Sequence, residues 1–245
     1  MKQVKMKKRK RRLSWVAKKC LPRFESLGEN CEFGFFQRKN KQEISSLFRW
    51  TFIHDYNKLI ELIENDFQDL FLFENLTPIG GDDSDGVLDR KYQIAFHSAM
   101  TGHEESGAFV WGFPEPENLQ IYQQEKSKIA HFVDKFRLSL RDDNKIFVVK
   151  RKEGGTLETG RKLAALLARL SRAKIFCVEE NADPEQQGKL YRISDNLYQG
   201  FIDRFSAQET TYKISSLWWP LITEAAAVIP DERPKNRLYR FFTGS

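Results

Sequence analysis

Between residues 53 and 73 the apolar side chains Ile53, Tyr56, Leu59, Ile60, Ile63, Phe67, Leu70 and Phe71 recur three and four positions apart. That spacing places them on one face and predicts an amphipathic helix over 53–73. A second helical pattern covers roughly 119–140, with Ile129, Phe132, Val133 and Phe136 turned inward. Then the period changes. Lys145-Ile146-Phe147-Val148-Val149-Lys150 and Lys174-Ile175-Phe176-Cys177-Val178 are near-continuous apolar runs, the pattern of strands covered on both faces. Between them Leu163, Leu166, Leu167 and Leu170 keep helical spacing. Strand, helix and strand over about 35 residues make a βαβ unit, whose strands are parallel and joined by a right-handed crossover.

Shorter signals fill in the rest. Arg23 to Leu27 reads as a strand running into the turn Gly28-Glu29-Asn30, and Cys31 to Arg38 as one or two helical turns weakened by Gly34. Lys91 to His97 and Ala108 to Phe113 are predicted strands separated by a loop over 101–107, and Leu190 to Ile193 a further strand. Residues 207–227 read as helical, interrupted at Pro220. The pattern predicts one α/β domain over 20–229, with a mixed, mostly parallel sheet flanked by helices. Residues 1–19 and 230–245 stand outside it as an arm and a tail.

Composition agrees with one packed core, since 40% of the 245 residues are apolar and 20 are Phe. No stretch approaches the ~18 apolar residues of a membrane-spanning helix. The net charge of +6 is unevenly placed. Residues 1–19 hold ten Lys or Arg and no acid, leaving 30 basic against 34 acidic residues and a body of −4. The arm suits an anionic partner, nucleic acid or lipid headgroups, or serves as a solvated leader. Cys20, Cys31 and Cys177 are odd in number and widely spaced, so neither a disulfide framework nor a zinc site is expected, and the natural setting is a reducing, cytoplasmic one.

Two motifs fail on their chemistry. Residues 78–86 superficially resemble a calcium loop, but aligning Gly86 with the obligatory glycine puts Tyr92 where a bidentate Glu is needed. Gly155-Thr156-Leu157-Glu158-Thr159-Gly160-Arg161-Lys162 has the glycine spacing of a phosphate loop between a strand and a helix. Yet Arg161 and Lys162 stand where Lys and Ser/Thr are required, and Glu158 sets a negative charge in the cradle. An ordinary turn with a Glu158–Lys162 pair is the simpler expectation. No cofactor and no metal are expected.

Cys31 carries more interest. It follows a strand and a glycine turn and opens a helix, where unpaired N–H groups favour thiolate, although Glu29 and Glu32 oppose that effect. His97 ends a predicted strand and His103 sits in the following loop, so both are candidate bases; His54 and His131 are expected on helices. Cys177 is expected in the core.

The segment Ser26-Leu27-Gly28-Glu29-Asn30-Cys31-Glu32-Phe33-Gly34-Phe35-Phe36-Gln37-Arg38, followed by Ser46-Leu47-Phe48-Arg49-Trp50, resembles bacterial proteins of unknown function with an "SLGxNCEFGxxQR…LLRW" signature. These are similar in turn to a domain described as a papain-like cysteine peptidase. Gly200-Phe201-Ile202-Asp203-Arg204-Phe205 is similar to that group's "GxIDRF" segment. The resemblance covers residues 24–50 best and 24–225 loosely. It implies a cysteine hydrolase or acyl transferase on a peptide-type ligand, with Cys31 as nucleophile, His97 as base and Asp203 or Asp195 orienting the imidazole. Asn30 or a backbone N–H near Cys31 would then hold an oxyanion. Two other readings stay open. In one, the domain handles sugars or nucleotide sugars of surface polysaccharide, with Arg38, Arg49 and Arg204 binding an anionic group and Trp50 and Trp111 stacking on rings. In the other, it is a non-catalytic interaction module tethered by its basic arm.

Overall fold

The computed structural model describes residues 19–79, 86–206 and 213–231. Most of the basic arm, the centre of the acidic loop, the start of the 207–227 segment and the tail beyond 231 lie outside the described residues.

The buried runs form the centre of the fold. Strands β1 (Phe24–Ser26), β8 (Ile146–Lys150), β9 (Lys174–Glu180) and β11 (Leu197–Ile202) are parallel neighbours in the order β1-β8-β9-β11, and β10 (Leu190–Arg192) adds antiparallel to β11. The predicted βαβ unit is β8, helix α4 (Thr156–Leu167) and β9. Alternation along β8 sorts its side chains. Phe147 and Val149 join a core with helices α2 (Tyr56–Glu64), α3 (Glu117–Leu140) and α4. Ile146 and Val148 face helices α1 (Glu32–Lys39) and α5 (Trp218–Val228) on the other side. Helices therefore cover both faces, which is why every β8 residue is buried. The fold is α/β, with a mixed, mostly parallel sheet.

A second, antiparallel sheet runs β2-β5-β4-β3, made of β2 (Thr51–Ile53), β3 (Leu76–Ile79), β4 (Gly86–Asp89) and β5 (Ile94–His97). Its inner face, with Ile53, Leu76, Val87, Ile94 and Phe96, packs into the same core as Phe147 and Ile175. Its outer face carries Phe52, Ile79 and His97, all exposed. A hairpin of β6 (Gly102–Glu105) and β7 (Ala108–Trp111) lies against β3.

Several expectations need correction. The helix over 53–73 is shorter: Ile53 belongs to β2, Asp55 caps α2 by accepting the Asn57 N–H at 2.8 Å, and the helix stops at Glu64. Asp66, Phe67, Asp69 and Phe71 then take left-handed φ of 50–62°. Buried Asp89 holds that stretch, accepting the N–H of Phe71 at 2.8 Å and of Tyr92 at 3.0 Å. The loop expected over 101–107 is largely strand β6, so His103 pairs with Val110 across the hairpin. Pro220 does not interrupt a helix. It sits in the first turn of α5, where its missing N–H would have no intrahelical partner.

Gly160 is where the phosphate-loop resemblance meets packing. A Cβ there would lie 2.1 Å from Cys177 Sγ, so the glycine lets α4 press onto β9. Gly160→Ala should lower stability by about 1–3 kcal/mol in urea unfolding. Adding Cys177→Ala should return part of that loss; a Gly160→Ala chain as stable as the parent would contradict this account. The start of α4 is already occupied, because Glu179 Oε1 accepts the Leu157 N–H at 2.9 Å. Glu158 and Lys162 pair at 3.2 Å, as an ordinary turn would have it.

Candidate active site

Cys31 stands at the carboxyl end of the parallel sheet, the edge where open α/β sheets offer a crevice. The turn delivering it is tightly specified. The Leu27 N–H reaches Val148 O at 3.0 Å, extending the β1 pairing by one step. Gly28 has φ 82°, and a Cβ on it would fall 2.6 Å from Ile53 Cδ1. Glu29 also takes a left-handed φ of 69°, an arrangement a non-glycine residue adopts only when held. What holds it is Lys150, whose ammonium lies 3.2 Å from one Glu29 carboxylate oxygen, and the Lys152 N–H on the other. Asn30 Oδ1 accepts the Glu32 N–H at 3.0 Å, and Cys31 opens α1.

Beneath the turn lies a buried charge cluster. Glu32 is fully buried and accepts from Trp218 Nε1 at 2.9 Å and from the Ser206 N–H at 3.2 Å. Lys150 is 1% exposed, bridges Glu29 and Glu32 at 3.2 and 3.4 Å, and lies 4.7 Å from the centre of the Phe205 ring. The two acids expected to oppose a thiolate at Cys31 are thus tied to a cation between them.

His97 comes from the other sheet. It is the last residue of β5, opposite Gly86 on β4, and its ring stands on the open face. Its Nε2 lies 3.7 Å from Cys31 Sγ, joining residues 66 apart in the chain. The ring makes no other hydrogen bond among the described residues. Cys31 is 4% exposed and forms part of the floor of a cleft of about 220 Å³, walled by Trp50, Phe52, Ile79, Ala95 and Phe96. His54 lines the same cleft. A second cavity of about 440 Å³ shares Trp50, Thr51, Phe96 and His97 with the first but not Cys31.

The other predicted site residues divide. Asn30 serves as a cap through its amide oxygen. Arg49 is 2% exposed, and its terminal nitrogens donate to the carbonyls of Gly34, Gln42 and Ile44 and to Glu43. It ties α1 to the following loop, with both terminal nitrogens engaged, and it backs the second cavity; burial also lowers its pKa from the usual value. Gly34 permits that approach, since a Cβ there would sit 3.0 Å from Arg49 and Trp50 atoms. Arg38 and Trp50 do line the second cavity, with the guanidinium 4.5 Å from the indole centre. Asp203 is bonded to Arg204 at 2.6 Å and to the Ser215 hydroxyl, and no hydrogen bond links it to His97. Asp195 pairs with Arg192 at 2.6 Å, again away from the imidazole. The pair at the cleft is therefore a dyad among the described residues, and Arg204, held by Asp203, lines neither cavity. Trp111 packs against Phe73. Cys177 is buried, donates to Thr156 O at 3.4 Å, and burial pushes its thiol up to about 12.

Sequence reasoning missed His54 and Lys150. His54 was expected on a helix, but its N–H bonds Gln93 O at the end of β2, just before the Asp55 cap. Lys150 reads in the sequence as a charge closing a strand; nothing local announces two carboxylates waiting for it. Among the described residues no three His, Cys, Asp or Glu side chains gather as metal ligands, and no helix is long and apolar enough to cross a membrane. No family model, no curated protein and no solved structure matches the chain.

Proposed function

We propose that the chain is a cysteine-dependent hydrolase or acyl transferase in which Cys31 is the nucleophile and His97 the base. The observation that carries this reading is the 3.7 Å approach of Sγ and Nε2 at an open cleft, one residue at the start of α1 and the other at the end of β5. Neutral His97 takes the thiol proton, and the sulfur attacks a carbonyl carbon. The start of α1 favours the negative charge on sulfur. His97 then gives its proton to the leaving atom, and in the second half activates the water or acceptor that removes the acyl group.

Competitive alkylation tests the reading. With limiting iodoacetamide at neutral pH, Cys31 should react about tenfold or more faster than the half-buried Cys20, as read by peptide mass spectrometry. Cys177 should stay unmodified. In His97→Ala the Cys31 advantage should disappear. A Cys31 slower than Cys20 in the parent chain, or equally fast without the imidazole, would remove the basis for a nucleophilic role.

A further inference from the structure

His97 stands where two cavities meet, and their chemistry differs. Among the described residues the cleft that contains the thiol has no Lys, Arg, Asp or Glu in its lining; Phe52 and Ile79, 40% and 36% exposed, are its outer walls. The cavity on the other side of Trp50 is lined by Arg38, Glu43, Ser45 and Lys128. Arg38 gives only its Nε to Glu43, at 3.1 Å, and Lys128, itself half-exposed, pairs with the buried Glu125 at 3.2 Å. The exposed Arg38–Glu43 pair is worth little and yields readily to a ligand.

Taking Cys31 and His97 as nucleophile and base, we infer that the two cavities are the two halves of one substrate site. The uncharged cleft takes an acyl group with an apolar chain, and the cavity beyond His97 takes an anionic leaving group. The assignment follows from what each atom must reach. The carbonyl carbon has to meet the sulfur, and only the first cavity touches it. The leaving atom has to meet the imidazole proton but lies off the sulfur, and the second cavity touches His97 alone of the pair. A charged acyl chain would lose its hydration against Phe52, Ile79 and Phe96 with no Lys or Arg among the described residues to meet it, whereas an anion beyond His97 meets Arg38 and Lys128.

For a thioester the step balances. The Cys31 sulfur bonds to the acyl carbon, the carbon–sulfur bond to the leaving thiol breaks, and the proton that His97 took from Cys31 passes to the departing sulfur. Water then splits the acyl-cysteine to a carboxylic acid and restores the thiol.

Four thioesters test it on the full chain, hexanoyl and succinyl each carried on 2-mercaptoethanol or on thioglycolate, with the released acid measured by chromatography. Hexanoyl should exceed succinyl in kcat/KM by about tenfold or more on either thiol. Thioglycolate should be the better leaving group by about threefold or more, and Arg38→Gln should erase that second preference while the first survives. Succinyl cleaved as fast as hexanoyl, or an unchanged thioglycolate preference in Arg38→Gln, overturns the assignment while leaving the dyad standing. Turnover that persists at the parent rate in Cys31→Ala overturns the dyad itself, and the assignment with it.

Discussion

Replacing His97 with alanine is expected to lower kcat/KM for the hexanoyl thioglycolate thioester by on the order of 10² to 10⁴, the usual contribution of a positioned acid–base group. Folding stability should move by no more than about 0.5 kcal/mol, the range of an ordinary surface change. Both halves follow from position. The ring is exposed on the outer face of the small sheet, and its hydrogen bonding among the described residues is confined to the Cys31 sulfur. Removing it therefore strips the thiol of its base and leaves the core untouched. Residues that act as one unit lose activity together, so Cys31→Ala/His97→Ala should be no slower than Cys31→Ala alone. A His97→Ala chain that keeps its rate would end the base assignment. One that loses rate and stability in parallel would reduce His97 to a packing residue.

The second large effect is on stability. Lys150→Met should cost about 3–5 kcal/mol, because it leaves Glu29 and Glu32 buried with no cation between them. For a domain of this size the melting temperature should fall by on the order of 10 °C. The methionine fills most of the space beside Phe205, so the loss reports charge more than volume. The triple variant Lys150→Met/Glu29→Gln/Glu32→Gln should recover much of it. An amide at position 32 can still accept from Trp218, and one at position 29 from the Lys152 N–H. If the single variant melts within a few degrees of the parent, or the triple is worse than the single, the cluster is not the electrostatic unit described above.

The parallel sheet was legible because strands covered on both faces write themselves as unbroken apolar runs, as residues 146–149 and 175–178 do. Of the antiparallel sheet only β5 was, within the strand expected over Lys91 to His97; the others are three or four residues long and alternate with an exposed face that carries Phe52 and Ile79. Helix α2 was over-extended because Phe67, Leu70 and Phe71 keep helical spacing and are indeed buried. The contacts that bend them into left-handed turns come from Asp89 and Tyr92, 18 and 24 residues further on, and leave no local trace. β11 was hidden by Gly200, whose bare Cα accommodates Leu221 and Phe176. At the site, Cys31 and His97 could be singled out because one opens a helix after a turn and the other ends a strand. Asp203 could not be placed: Arg204 and Ser215 take one carboxylate oxygen each, and the Ser215 contact depends on a chain path with no local trace.

The location of β1 also bears on when the dyad comes into being as the chain is made. Among the described strands β1 is an edge strand whose one neighbour is β8, and the cation that fixes the turn before Cys31 is Lys150, 121 residues beyond Glu29. A nascent chain can finish the small sheet and present His97 long before β8 has emerged. Until then β1 has no strand to pair with, and the turn before Cys31 lacks the cation that fixes it. Reactivity would thus arrive only with the central strand, at the point where the core closes over both sheets, and synthesis carries its own delay on the chemistry.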